Sequence, residues 1–142
     1  LYPARHERLP ACDAKKGAER GKNTAYRIQM DGLTICHLGA IGHVPTSEQV
    51  SAIGDVDVLM VPVGGGGALT PAQAAETIGL LEPKVIIPML YKTDATTLPL
   101  EPVDAFLKEQ GVTGIAPAPK LSVSASSIPA GTQVVLLEYR QR

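Results

Sequence analysis

The sequence is poor in aromatic and sulfur-containing residues and has no long apolar or basic run. It contains no tryptophan, one phenylalanine and two cysteines, so we expect no disulfide framework. No apolar run is long enough to span a bilayer, and the first residues lack the apolar core of a secretion signal. The net charge is -1, and no basic stripe is present that would bind nucleic acid. We therefore expect a cytoplasmic protein that binds neither membranes nor nucleic acid.

The familiar catalytic and metal-binding motifs are absent as well. The sequence contains no serine–histidine–aspartate order, no paired CxxC, no HExxH and no HxHxDH motif. The hydrophobic fraction of 44% is ordinary for a globular chain. With 142 residues, we expect a single domain over the whole chain with a modest core.

Hydrophobic patterns predict the strands of a mixed sheet. Residues 24–30 alternate in polarity, and residues 33–38 return after Asp31-Gly32, the strongest short signal for a hairpin. Two continuous apolar runs predict strands that are buried on both faces. These runs are residues 56–63 and 84–90. Two or three further short strands are predicted among residues 112–116, 120–124 and 132–139.

Helix-start signals separate these strands. Capping-box patterns begin at Thr46 and Thr70, where a hydroxyl at the cap is followed three residues later by a glutamine. A third helix is predicted to begin at Glu101-Pro102. Residues 1–23 show no clear period and predict an irregular segment with at most a short strand at its start. A hairpin followed by alternating strands and helices indicates an α/β domain.

Three loops follow the predicted strands at their carboxyl ends, where ligand sites form in open α/β sheets. They are residues 37–43, 64–68 and 90–93. In the first loop, His37 and His43 are six residues apart. This spacing across a glycine-rich turn is weak for a metal pair. The alternative is that His37 packs in the turn or bonds its backbone, while His43 caps the next helix.

The second loop contains Gly65 and Gly66, whose amides could form a nest for an anion. No Gly-Lys-Ser/Thr follows, so it is not a Walker loop. The alternative is a tight connection between a strand and a helix.

The remaining candidates are two residue pairs. Tyr91-Lys92 follows a buried strand and could bind an anion or act in proton transfer; a surface turn is the equal alternative. Cys12-Asp13 lies beside Lys15 and Lys16, which would lower a thiol pKa, although most lone cysteines are inert. From these residues alone, the sequence supports an α/β domain with an open site at its strand ends.

The assembled motifs resemble a known family. ERGKNTAYRIQMDGLTICHLGAIGH, VDVLMVPVGG and KVIIPMLYKT look like the C-terminal part of small metallo-β-lactamase-fold hydrolases related to L-ascorbate-6-phosphate lactonase. The resemblance runs from about residue 10 to the end and is most specific over residues 20–93. It implies half of an αββα sandwich, with a mixed sheet and helices on one face. Residues 24–142 would form this C-terminal half.

The resemblance also implies that metal ligands have been replaced. The family pattern HLGDLGH has a metal-bridging aspartate where this chain has Ala40, and PMHYKT has a ligand histidine where it has Leu90. The pattern YHDD has a histidine where this chain has Cys12, while Asp13 is retained. The usual Tyr-Thr pair of the glycine loop is replaced by Gly67 and Ala68. The half that carries HxHxDH is missing.

These replacements change what the resemblance implies about cofactors and partners. The family would use zinc or manganese, but the side chains of Ala40 and Leu90 have no lone pair. We therefore expect no cofactor, with a new site of His37, His43 and Cys12 as a remote alternative. One half of the sandwich would leave an apolar sheet face open. We expect a second copy, a partner chain or another segment to cover it, a homodimer being the commonest arrangement.

Two functions from different classes follow. The first is a catalytically inactive, hydrolase-like scaffold that dimerises or binds a partner. The second is a metal-dependent hydrolase of esters, lactones or phosphodiesters that uses metal-activated water and needs the missing half. A weaker third idea is metal-free acid–base catalysis by Asp13 and Lys92.

Overall fold

A computed structural model describes residues 5–8, by their backbone, and residues 23–139. The candidates Cys12 and Asp13 lie outside the described residues. The strands are β1 (Arg5–Arg8), β2 (Tyr26–Met30), β3 (Leu33–His37), β4 (Val58–Pro62), β5 (Val85–Met89) and β6 (Gln133–Val134). The helices are α1 (Ser47–Ile53), α2 (Pro71–Leu81) and α3 (Val103–Glu109).

The six strands form one mixed sheet in chain order, β1-β2-β3-β4-β5-β6. Strands β1, β2 and β3 are antiparallel, whereas β3 to β6 run parallel. The predicted hairpin is confirmed: Asp31 and Gly32 have φ values of 50° and 78°, as a type I′ turn requires. The predicted α/β class with a mixed sheet is confirmed too, because parallel strands alternate with helices after the hairpin.

Both predicted capping boxes form. The hydroxyls of Thr46 and Thr70 accept from the backbone amides of Gln49 and Gln73, and each glutamine side chain accepts from the amide of its threonine. α3 begins after Pro102 without a side-chain cap. In the part of the chain that the structure describes, no helix is both long and apolar enough to cross a membrane.

All three helices pack on the same face of the sheet, as predicted. Their buried residues join one hydrophobic cluster with Cys36, Leu59 and Ile86, which are neighbours in register across β3, β4 and β5. We call the opposite side the open face. There Ile35, Val58 and Val85 are paired across the same strands, and no helix covers them within the described residues.

The end of the chain differs from the prediction. Residues 112–116 and 120–124 form no strand, and the predicted strand at 132–139 is reduced to β6 and a bridge between Ala118 and Leu137. Leu121 and Val123 instead pack against the cluster on the open face. This segment therefore covers part of the open face rather than extending the sheet. The division into one domain stays a prediction.

Candidate functional site

Close backbone contacts at glycine residues hold the three strand-end loops together. A Cβ atom on Gly64 would overlap the carbonyl oxygen of Leu90, and one on Gly42 would lie 2.9 Å from the carbonyl oxygen of Gly67. Real Cβ atoms do not approach backbone oxygen so closely, so glycine is required at Gly64 and favoured at Gly42. The loops 37–43, 64–68 and 90–93 therefore meet at the carboxyl ends of the parallel strands, as expected for a ligand site in this class of fold.

Asn23 fixes the first of these loops. Its Nδ2 donates to the carbonyl of Leu38 at 2.8 Å, and its Oδ1 accepts from the amide of Ala40 at 2.9 Å. The side chain thus satisfies two backbone groups that would otherwise lack partners in the turn. Sequence reasoning missed Asn23 because it lies at the end of an irregular segment, and no short motif links it to residues 38–40.

Both histidines of this loop make a polar contact through a ring nitrogen, one within the loop and one to the capping box of the helix that follows. Nδ1 of His37 accepts from the amide of Gly39 at 3.0 Å, so the neutral ring carries its proton on Nε2. Nε2 of His43 lies 3.2 Å from Oε1 of Gln49, the same oxygen that accepts from the amide of Thr46. His43 therefore contacts the capping box of α1.

Ala40 and Leu90 are the positions at which the resemblance implies metal ligands in the family, and both residues are exposed. Neither side chain has a lone pair for a metal. Leu90 also has a φ of 53°, in the left-handed region that residues with a Cβ rarely adopt. The backbones of the first and third loops are closely packed, whereas the side chains at these two positions are hydrocarbon.

The residues that the structure describes do not fit a divalent metal. Within residues 23–139, no group of three or more His, Cys, Asp and Glu side chains lies close enough to hold one. A catalytic zinc needs three protein ligands and an open position, and the Nδ1 of His37 and the Nε2 of His43 already have partners. A contribution of Cys12 and Asp13 to a metal or catalytic site stays a prediction.

The glycine loop satisfies part of its own backbone. The amide of Gly65 donates to the carbonyl of Leu69 at 2.9 Å, and the amide of Ala68 donates to the carbonyl of Gly65 at 3.1 Å. Gly66 lies under Leu100, since a Cβ on Gly66 would be 2.6 Å from the leucine Cδ2. The Gly65 amide is thus committed to closing the loop, which leaves fewer donors for an anion.

Tyr91 and Lys92 lie beside a cleft of about 390 Å³. Nζ of Lys92 donates to the carbonyl oxygens of Thr96 and Leu98 at 2.8 and 3.3 Å. Burial raises the pKa of the Tyr91 hydroxyl, and the nearby Tyr139 raises it further. At neutral pH this tyrosine is therefore a protonated hydrogen-bond donor. Catalytic roles for Lys92 and Asp13 stay predictions.

Comparison with known protein families finds a match over most of the chain. A family model described as "Beta-lactamase superfamily domain" matches residues 5–90. A UPF0173 metal-dependent hydrolase of Pelotomaculum thermopropionicum is 33% identical over 73 residues, which are 51% of this chain and 32% of that protein. One of Thermococcus kodakarensis is 33% identical over 76 residues, 51% of this chain and 33% of that protein. The chain spans about a third of the length of these relatives.

Solved structures show the same fold. A Thermotoga maritima protein assigned to the Zn-dependent hydrolases of the metallo-β-lactamase superfamily matches with a TM-score of 0.74 and 35% identity, over 94% of this chain and 64% of that one. A metallo hydrolase of Ignicoccus hospitalis matches with a TM-score of 0.56 and 24% identity, over 76% of this chain and 46% of that one. The second match supports the fold alone.

Proposed function

This chain belongs to the β-lactamase superfamily, and we propose that it is a member whose strand-end site has lost metal-dependent hydrolysis and which serves as a binding scaffold. The observation that carries the proposal is the pair of hydrocarbon side chains at Ala40 and Leu90, in loops that keep their close-packed geometry. Metal-activated water needs lone-pair donors at such positions. Without such donors, the loops can form a binding surface but cannot activate water at a metal.

The contact of His37 argues in the same direction. His37 supports the turn through Nδ1, so recruiting this nitrogen for a metal would break a hydrogen bond that shapes the loop, at a net cost of about 1 kcal/mol. His43 donates from Nε2 to the oxygen of Gln49 and keeps the lone pair of Nδ1, so its contact does not favour either candidate.

The second candidate function is a metal-dependent hydrolase of esters, lactones or phosphodiesters. The relatives carry the name metal-dependent hydrolase, and this observation favours it. That activity would need ligands from outside the described residues, such as Cys12 and Asp13 or a further segment of a longer protein.

Elemental analysis combined with an activity screen separates the two candidates. The protein is expressed in medium that contains zinc or manganese, together with any further segment that a longer form of the chain carries, and is then purified and dialysed against the same metal. Its metal content per chain is measured, and turnover of a lactone, an ester and a phosphodiester is followed. We expect far less than one metal per chain and no turnover. The Thermotoga maritima relative, treated identically, provides the comparison for zinc content. Stoichiometric metal together with turnover would establish the hydrolase instead.

The scaffold role also involves the open face. Tyr26 and Met30 of β2 are exposed there, and Ile28 and Ile35 are only partly buried. A contiguous apolar surface of this kind usually marks an interface. As its partner we propose a second copy of the chain, because two-fold homodimers are the commonest assemblies of soluble proteins.

A further inference from the structure

The cleft beside Tyr91 shares Leu137 with the cluster on the open face. It is bounded by residues 91–94, which follow β5, and by residues 136–139, which follow β6. Its volume of about 390 Å³ falls within the range of small-molecule sites, which is roughly 300–1,000 Å³. The cleft is therefore large enough for a compact organic ligand.

Two tyrosines line the cleft from different chain segments. Tyr91 is half-buried and packs against the helix-side core, whereas Tyr139 is exposed. Both side chains line this one cleft. An aromatic face attracts a cation that lies within about 6 Å of the ring centre, so paired tyrosines suit a positively charged group.

The charges around the cleft favour the same kind of ligand. Asp94 and Glu138 supply two carboxylates, and Lys92 is the one cation among the lining residues that the structure describes. The Lys92 ammonium already donates to the carbonyl oxygens of two residues outside the lining. The lining thus carries a net negative charge, which repels anions and attracts cations.

Apolar groups complete the lining. Val103, Pro117, Leu136 and Leu137 present hydrocarbon next to the tyrosines and carboxylates. We infer that this cleft binds a small organic cation in which an ammonium group is joined to a short alkyl or aryl part. The inference goes beyond the proposed scaffold role, and it holds whether or not the strand-end site takes a metal.

The test is a titration with choline, monitored by amide chemical shifts in NMR spectra. A parallel titration uses 3,3-dimethyl-1-butanol, the neutral isostere of choline. We expect choline to saturate in the millimolar range, with shifts confined to residues 91–94 and 136–139. The isostere has nearly the same shape and no charge, so we expect it to bind at least about five-fold more weakly. Added salt should weaken choline binding by screening the carboxylates.

Matched variants locate the site. Tyr139→Leu and Glu138→Gln should each weaken choline binding about two- to five-fold. The controls are Leu80→Ala and Glu109→Gln, at exposed positions outside the cleft, and they should leave the affinity unchanged. All four positions are exposed, so the variants are expected to fold. The inference is wrong if choline does not saturate, if the isostere binds equally well, or if the cleft variants behave like the controls.

Discussion

Leu90 combines an unusual backbone conformation with an exposed apolar side chain. Its φ is 53°, and 43% of its surface is exposed. Neighbouring hydrogen bonds impose this geometry, because the Met89 carbonyl accepts from Val63 at 3.0 Å and the Lys92 amide donates to Glu101 at 2.9 Å. Strain of this kind persists only where the surroundings determine it, and it is concentrated at functional sites. Residue 90 thus has the backbone strain that is typical of a functional site, but its side chain is apolar.

The variant Leu90→Asn should stabilise the protein. Asparagine tolerates the left-handed conformation, which costs other L-residues roughly 1–2 kcal/mol, so we expect a gain of about 0.5–1 kcal/mol. The measurement is the midpoint of urea unfolding at constant slope. Leu98→Asn is the control, since Leu98 is 57% exposed and has no positive φ. A loss of stability at residue 90, or an equal change at both residues, would contradict this account of strain.

Individual site residues could be predicted from the sequence only when their partners are near in the chain. The caps at Thr46 and Thr70 follow from glutamines three residues later, and both form. Asn23 bonds residues 15 and 17 positions away, and no local pattern carries that information. That Ala40 and Leu90 replace metal ligands stays a prediction, which rests on the resemblance to a family and not on spacing.

Glycine has opposite roles in two neighbouring elements. Gly64 lies in the loop after β4, where the backbone of Leu90 leaves no room for a Cβ, whereas Gly79 lies in α2 with open space around it. We expect Gly64→Ala to cost about 2 kcal/mol or more through overpacking. Gly79→Ala should add about 0.5–1 kcal/mol, because alanine favours the helix.

Urea unfolding of the two glycine variants checks this pair. Both variants add one methyl group, so any difference between them reports the local environment and not the chemical change. Equal effects, or a stabilising Gly64→Ala, would mean that the contact between the second and third loops is looser than the structure indicates.

Helices and strands could be predicted where a hydrophobic period or a capping motif lies within a short stretch of sequence. They could not be predicted where pairing with a distant strand determines the structure. The residues of β4 and β5 are all apolar, and the structure buries most of both strands. Residues 120–124 alternate in the same way as a strand, yet Leu121 and Val123 pack on the open face without pairing. An alternating pattern specifies which side chains point inward, but hydrogen bonding to a neighbouring strand depends on the tertiary context.

For the whole molecule, the apolar open face is the surface through which we propose that chains associate. The face carries Tyr26 and Met30, of which Met30 is 45% exposed. Leu80 is also exposed, by 47%. It lies on α2, whose buried residues belong to the cluster on the helix side of the sheet, so Leu80 is not on the open face. If a second copy covers the open face, charges placed on it must be desolvated on association, which costs several kcal/mol per ion.

Sedimentation velocity on paired variants tests this association. We expect the unaltered protein to sediment as a dimer at micromolar concentrations. Tyr26→Lys combined with Met30→Lys should sediment as a monomer, because two unpaired ammonium groups would be buried at the interface. Leu80→Lys combined with Leu98→Lys adds the same charge at equally exposed positions and should remain dimeric. A monomeric unaltered protein, or dissociation by both double variants alike, would rule out the second copy as the occupant of the open face.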